Sequence, residues 1–232
     1  MAKHLEASVL EERIGYHFNN KSLLDSALTH SSYANELKVN KVPDYERLEY
    51  LGDAVLELVS SDYIYHEHPS MPEGQMTRLR SSIVCEPALA YCSREFKLEE
   101  FIRLGKGEEA TGGRNRDSII SDVCEAIIGA IYLDGGIEPA KKHILKYILS
   151  DLDNKQLFYD SKTILQEYIQ RNSENRFEYV LIGETGPDHD KVFCVKAVLN
   201  GKTIGTGEGK TKKAAEQMAA YKALKEINIK RE

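Results

Sequence analysis

Between Ile119 and Leu133 the chain reads IISDVCEAIIGAIYL, and only Asp122 and Glu125 in that stretch carry charge. At about 100° per residue, Ile119, Val123, Ile127, Ile128 and Ile131 point in nearly every direction around a helix. Such a stretch predicts a helix buried on most sides. Asp122 and Glu125, three residues apart, share one face of it. An isolated charge in that position costs several kcal/mol or is lost to protonation. No Lys or Arg lies three or four residues away, and Arg114 and Arg116 precede the helix. The two carboxylates therefore need a partner from elsewhere in the fold. Salt bridges to a distant helix would supply one, and so would a divalent cation.

A second acidic stripe narrows the choice. In YERLEYLGDAVLEL (45–58), Glu46, Glu49 and Asp53 fall within about 60° of arc on one side of a helix. Leu48, Leu51, Val55 and Leu58 cluster about 160° away and are expected to anchor it. Taken by itself, this stripe also reads as an ordinary solvated face. With Asp122 and Glu125 beside it, the expectation becomes two acidic stripes facing one another around metal ions. Oxygen-only ligands suit Mg²⁺ or Mn²⁺ and not zinc. Several carboxylates around one or two such ions are what hydrolysis of a phosphodiester requires.

The remaining chain divides in two. Residues 1–150 read as helix after helix: LEASVLEERIGYHF, NKSLLDSALTHSSYANE, the acidic stretch, TRLRSSIVCEPALAYCSREF and DSIISDVCEAIIGAIYL, separated by HPSMPEG and LGKGEEATGG. The glycine-rich GKGEEATGG has neither dinucleotide nor phosphate-loop spacing and reads as a flexible connection. An all-α domain over 1–150 is expected, then a polar linker over 151–160. Over 161–232 the pattern becomes α-β-β-β-α, an α+β unit: KTILQEYIQR as a helix, FEYVLI, KVFCVKAVL and KTIGTGEG as strands, and TKKAAEQMAAYKALKEI as a closing helix. Asn200-Gly201 is the strongest hairpin signal in the chain.

Charge separates the two parts. The whole chain carries −6. Residues 160–232 hold 13 Lys+Arg against 11 Asp+Glu, or +2, which leaves 18 against 26, or −8, for the rest. Taken whole, the net charge argues against a nucleic-acid partner, but an acidic body with a mildly basic tail is an asymmetry that sets the tail apart. No apolar run is long enough to span a membrane and the N-terminus has no signal-peptide core, so a soluble, cytoplasmic protein is expected. The four cysteines (Cys85, Cys92, Cys124, Cys194) are scattered and read as reduced core residues.

ERLEYLGDAVLEL (46–58) closely resembles the signature helix of ribonuclease III. ALTHSSYANE (27–36), RLGKGEEATGGRNRDSIISDVCEAIIGAIYLDGG (103–136) and the α-β-β-β-α tail resemble the same family in the same order. The resemblance implies a Mg²⁺-dependent endonuclease for double-stranded RNA, with Mn²⁺ able to substitute, and with no nucleotide cofactor. It further implies a homodimer that cuts both strands, leaving 5′-phosphate and short 3′-overhang ends, in processing of rRNA precursors and other structured transcripts. Carried over position by position, Glu49, Asp122 and Glu125 would ligate the metal, Asp53 and Glu125 would serve catalysis, and Glu46 would be an accessory acid. Ala54 stands where the family often has Ser and Tyr50 where it often has Phe, and neither change removes a ligand. The surplus apolar residues Tyr50, Ala54 and Val59 on the signature helix suit a dimer face.

The tail resembles a double-stranded RNA-binding domain. Lys210, Lys212 and Lys213 gather where a helix N-terminus already favours anions. Thr163, Gln166 and Glu167 lie on the first tail helix, where Gln and Glu can hydrogen-bond 2′-hydroxyls or base edges, and His189 lies between two strands. Two decoys fail. The Gly-Lys-Thr at 209–211 lacks the upstream Gly of a phosphate loop, since position 204 is Ile. The His66 and His68 pair lacks a further zinc ligand. A masking protein with a vestigial nuclease would have lost one of Glu49, Asp53, Asp122 or Glu125, and all four stand. A helical phosphohydrolase for small molecules would leave the RNA-binding tail without a purpose.

Overall fold

The computed structural model of the protein describes residues 6–37, 42–151, 161–171, 174–186, 191–209 and 211–227. The chain divides into two compact units, Met1–Leu152 and Asp153–Glu232. The described part of the first is helical: α1 (Ala7–Ile14), α2 (Lys21–Ala27), α3 (Ser31–Glu36), α4 (Glu46–Glu67), α5 (Glu73–Ile83), α6 (Glu86–Arg94), α7 (Lys106–Ala110), α8 (Asp117–Gly135) and α9 (Ile137–Tyr147). Among its described residues, strand-like pairing is confined to one parallel bridge between Thr29 and Arg103.

Helix α8 is the centre of this unit. Ile120, Val123, Ile127, Ile128 and Ile131 are fully buried, as their all-round apolar pattern requires. Its principal partner, α4, crosses it unusually closely, and two glycines make that possible. A Cβ on Gly52 would lie 1.8 Å from the Glu125 carbonyl oxygen, and one on Gly129 would lie 2.2 Å from the Leu48 carbonyl oxygen. Each helix thus presents bare backbone to the other at one point. Burial of Leu48, Val55, Leu56, Val59 and Ile64 along α4 holds that helix in the core.

The structure corrects several sequence expectations here. Leu58 is 62% exposed and does not belong to the anchoring stripe, while Val59 is buried in the unit's own core and so cannot serve a dimer face. Two runs expected as single helices each break. NKSLLDSALTHSSYANE is interrupted after Ala27, where the amide of Arg103 bonds to Leu28 O at 2.8 Å and the amide of His30 bonds to Arg103 O at 3.1 Å. TRLRSSIVCEPALAYCSREF breaks before Glu86, since Pro87 falls in the first turn of α6, where its missing N–H leaves no bond unmade.

GKGEEATGG is not a flexible connection. It forms α7 and a 3₁₀ turn at Gly113–Asn115. The Arg114 guanidinium ties it down, donating to Glu99 O at 2.7 Å, Ile102 O at 2.9 Å and Glu109 Oε1 at 2.8 Å. Of the cysteines, Cys92 and Cys124 are core residues, whereas Cys85 and Cys194 are half-buried; none of the four is in a disulfide.

The second unit packs α10 (Ser161–Gln170) and α11 (Lys212–Ile227) on an antiparallel sheet in the order β1 (Phe177–Thr185), β2 (Val192–Leu199), β3 (Lys202–Gly209). Asn200 (φ 51°) and Gly201 (φ 79°) form the tight β2–β3 turn, as a type I′ hairpin demands. The glycines of TIGTGEG have a packing purpose. A Cβ on Gly205 would meet Ala219 O at 2.3 Å, and one on Gly207 would meet Ala215 O at 2.2 Å. Small residues at period two on β3 and at period four on α11 therefore let strand and helix approach closely. Leu165, Ile169, Ala220, Ala223 and Leu224 form the core.

Candidate active site

The close crossing sets where the acids stand. Glu46, Glu49 and Asp53 lie along the first two turns of α4, with Glu46 and Asp53 exposed and Glu49 half-buried. Asp122 and Glu125, both half-buried, lie in the first half of α8. The glycine contact between Gly52 and the Glu125 carbonyl is one residue from Asp53 and three from Glu49. The two stripes therefore meet where the helices are nearest.

Their electrostatics confirm the proximity. Burial first, then the charges of Asp53, Glu49, Asp122 and Glu57, push the Glu125 carboxyl up to about 8. Burial, followed by Asp122, Glu46 and Asp53, raises Glu49 to about 6. Burial also raises Asp122, against hydrogen bonds from Tyr45 and Ser121 and the nearby His30. Mutual repulsion of this kind is a mark of a functional site more often than of a structural one. Among the described residues, no Lys or Arg forms an ion pair with any of the five acids. Salt bridges to a distant helix are thus not what compensates them here.

The donor set fits a hard divalent cation: it is all carboxylate, uncompensated, and crowded enough that neutralisation would relieve it. Among the described residues, no three His, Cys, Asp or Glu side chains already stand at metal-ligand spacing. One ion shared by Glu49, Asp122 and Glu125 would draw their carboxylates together against this repulsion.

Tyr45 was missed by the sequence reading. It stands four residues before Glu49, on the acidic side of the helix, and that spacing is the sign of it in the sequence. Its hydroxyl donates to Asp122 Oδ2 at 3.3 Å, while its side chain is 4% exposed.

In the tail unit, Thr163, Gln166 and Glu167 are all exposed on α10. Lys212 and Lys213 are exposed in the first turn of α11. Thr211 caps that turn, its Oγ1 accepting the Ala214 amide at 3.1 Å. The Lys212 Nζ lies 5.8 Å from the centre of the Phe193 ring, which steadies the side chain in place. His189 and Lys210 lie outside the described residues. Exposed lysines at a capped helix N-terminus are suited to meeting phosphate groups, which carry no base identity.

Comparison with known proteins agrees with both halves. A ribonuclease-III-like family model matches residues 20–152, and a double-stranded RNA binding motif matches residues 161–227. The chain is 46% identical over 220 residues to Ribonuclease 3 of Listeria innocua, covering 94% of this chain and 96% of that protein. It is likewise 46% identical over 223 residues to Ribonuclease 3 of Caldanaerobacter subterraneus, covering 95% and 97%. Among solved structures it resembles the nuclease domain of ribonuclease III from Campylobacter jejuni, with a TM-score of 0.58 and 41% identity. That match covers 62% of this chain and 96% of the domain.

Proposed function

Because the chain belongs to the ribonuclease III family and is a double-stranded RNA endonuclease of that family, we propose that Glu49, Asp122 and Glu125 hold Mg²⁺ for the cleavage. The observation that carries this reading is the gathering of two uncompensated carboxylate stripes at the closest point of α4 and α8. Bound there, Mg²⁺ would neutralise charge at the scissile phosphate and make the attacking water more acidic. Asp53, exposed one turn beyond Glu49, orients the attacking water and accepts its proton at a carboxylate oxygen. Glu46, one turn before Glu49, is an accessory acid. Water adds to phosphorus, the bond to the 3′ oxygen breaks, that oxygen takes a proton from solvent water and leaves as the 3′-hydroxyl, and the other product carries a 5′-phosphate. Thr163, Gln166, Glu167, His189, Lys210, Lys212 and Lys213 hold the duplex, since the acidic catalytic unit would repel phosphate wherever metal is absent.

The working form we propose is a cytoplasmic homodimer, whose two-fold axis offers one site to each strand and so leaves short 3′ overhangs. Three observations support it. Tyr50 and Leu58 on α4 are 82% and 62% exposed, far beyond the usual exposure of such side chains. An open cleft of about 840 Å³ is lined by Tyr50 with Leu23, Pro43, Leu51 and Leu133, and at its polar side by Asp44, Glu46 and Arg47. The Campylobacter jejuni nuclease domain has a region involved in dimer formation.

The test is cleavage of a labelled duplex RNA with and without Mg²⁺ by the wild type and by Glu125→Gln. Loss of a ligand should cut turnover by several orders of magnitude while RNA binding through the tail persists. Wild-type cleavage by Glu125→Gln in millimolar Mg²⁺ would show the site to be misassigned.

A further inference from the structure

The segment around His30 and the aromatic residue that opens α4 meet beside one of the proposed ligands. Tyr45 is tied at three points. Its amide donates to Thr29 O at 2.9 Å, and its carbonyl accepts the Leu48 and Glu49 amides at 2.8 and 2.9 Å. Its ring, buried to 4% exposure, meets the His30 ring edge-on at 5.7 Å and 62°. His30 is itself held, since its Nδ1 caps α3 by accepting the Ser32 amide at 3.1 Å. With backbone and ring fixed in this way, the phenol hydroxyl is set against Asp122 Oδ2 and donates to it.

The 3.3 Å separation is long for an O–H···O bond, as hydrogen bonds at catalytic groups often are before the site is loaded. A phenol is protonated near neutral pH, so towards a carboxylate it acts as the donor. A carboxylate in a crowd of like charges would otherwise swing towards solvent. A buried donor on one of its oxygens restricts that rotation and fixes the plane in which the carboxylate can meet a cation.

We infer that Tyr45 is a positioning residue for metal binding: its hydroxyl, set by the His30 ring and the Thr29 carbonyl, orients the Asp122 carboxylate towards the cation. The inference rests on the metal site proposed above. His30 and Thr29, within ALTHSSYANE, thereby act as a rigid seat for the phenol and not as ligands.

The experiment is a titration of the full-length, RNA-free protein with Mn²⁺, followed by paramagnetic resonance, for wild type, Glu125→Gln, Tyr45→Phe, Asp122→Ala and the Tyr45→Phe/Asp122→Ala double variant. Tyr45→Phe keeps the ring and its packing and removes the donor. It should weaken Mn²⁺ by about 10- to 100-fold, the range for a lost supporting contact to a metal ligand. The Mg²⁺ concentration needed for half-maximal cleavage should rise in parallel, and the melting temperature in EDTA should stay within about 4 °C. In the Asp122→Ala background the same change should alter Mn²⁺ affinity less than about twofold, because the residue through which it acts is gone.

Unchanged Mn²⁺ affinity in Tyr45→Phe, an undiminished effect in Asp122→Ala, or a large fall in melting temperature would each overturn the assignment. If Glu125→Gln loses the ion and Tyr45→Phe keeps it, only Tyr45 is misassigned. If Glu125→Gln binds Mn²⁺ as the wild type does, the metal site itself falls, and the role of Tyr45 with it.

Discussion

Replacing Gly52 by Ala tests whether the close crossing of α4 and α8 builds the site. The added Cβ would stand 1.8 Å from the Glu125 carbonyl oxygen, 2.6 Å from its carbonyl carbon and 3.0 Å from the Gly129 amide nitrogen. All three are backbone atoms in the middle of a buried helix, so none can swing aside. Restoring an ordinary contact of about 3.4 Å means parting the helices by roughly 1.5 Å, enough to forfeit much of the dispersion energy along their contact. Overpacking of this kind costs about 1–3 kcal/mol, with the lost contact on top, and the better helix propensity of Ala returns at most about 1 kcal/mol. A net loss of about 3 kcal/mol lowers the melting temperature of a unit this size by roughly 10 °C. Melting in EDTA followed by circular dichroism reads that number. Cleavage below the melting point should fall by more than tenfold, because the acids on α4 move away from those on α8. Gly74→Ala is the control: nothing lies within 4 Å of its added Cβ, so stability should stay within about 1 kcal/mol. If Gly52→Ala melted within about 2 °C of the wild type, the argument that bare backbone contact sets the site would be wrong.

What was legible in the sequence depended on periodicity within one element. The all-apolar surround of Asp122 and Glu125 marked α8 as buried, and the α4 stripe placed Glu46, Glu49 and Asp53 on one side, because helical spacing alone decides which side chains share a face. Asn200-Gly201 announced its hairpin by the same local logic. Contacts between elements left weaker traces. Nothing in the spacing of Leu58 and Val59 tells which of two adjacent apolar residues turns to the core, and the choice fell to how α4 rolls onto α8. Gly52 and Gly129 look like unfavourable helix residues until their approach to each other is seen. The glycines before Arg114 suggested flexibility because the three carbonyl and carboxylate bonds that pin the segment come from residues up to fifteen positions away. Tyr45 was hidden for the same reason, since its partner is 77 residues distant. Local pattern exposed the two half-sites, and tertiary approach joined them.

Three further measurements bear on the reading. Tyr50→Asp should convert the protein from dimer to monomer mass by light scattering at micromolar concentration, since re-exposing an interface Tyr forfeits about 4 kcal/mol per protomer; a dimer of unchanged affinity would exclude this face. Lys212→Ala with Lys213→Ala should flatten the slope of log K against log salt by about two units on two unrelated duplexes, at no more than about 0.9 per lost phosphate contact. A loss confined to one duplex would mean these lysines read sequence. Lastly, His143 should make the helical unit acid-sensitive. It is 5% exposed, packs between Phe96 and Tyr147, and has no hydrogen-bond partner for either ring nitrogen among the described residues. Burial, with a smaller effect of Lys146, lowers its pKa from 6.5 to about 4. The unfolded chain therefore takes up a proton below pH 6.5 that the folded unit refuses, so the contribution of His143 to stability falls as pH drops from 6.5 towards 4 and then levels off. The difference between those pKa values corresponds to about 3 kcal/mol. His143→Leu should remove that part of the slope in urea melts across the window, and an unchanged slope would mean that the imidazole is protonated in the fold.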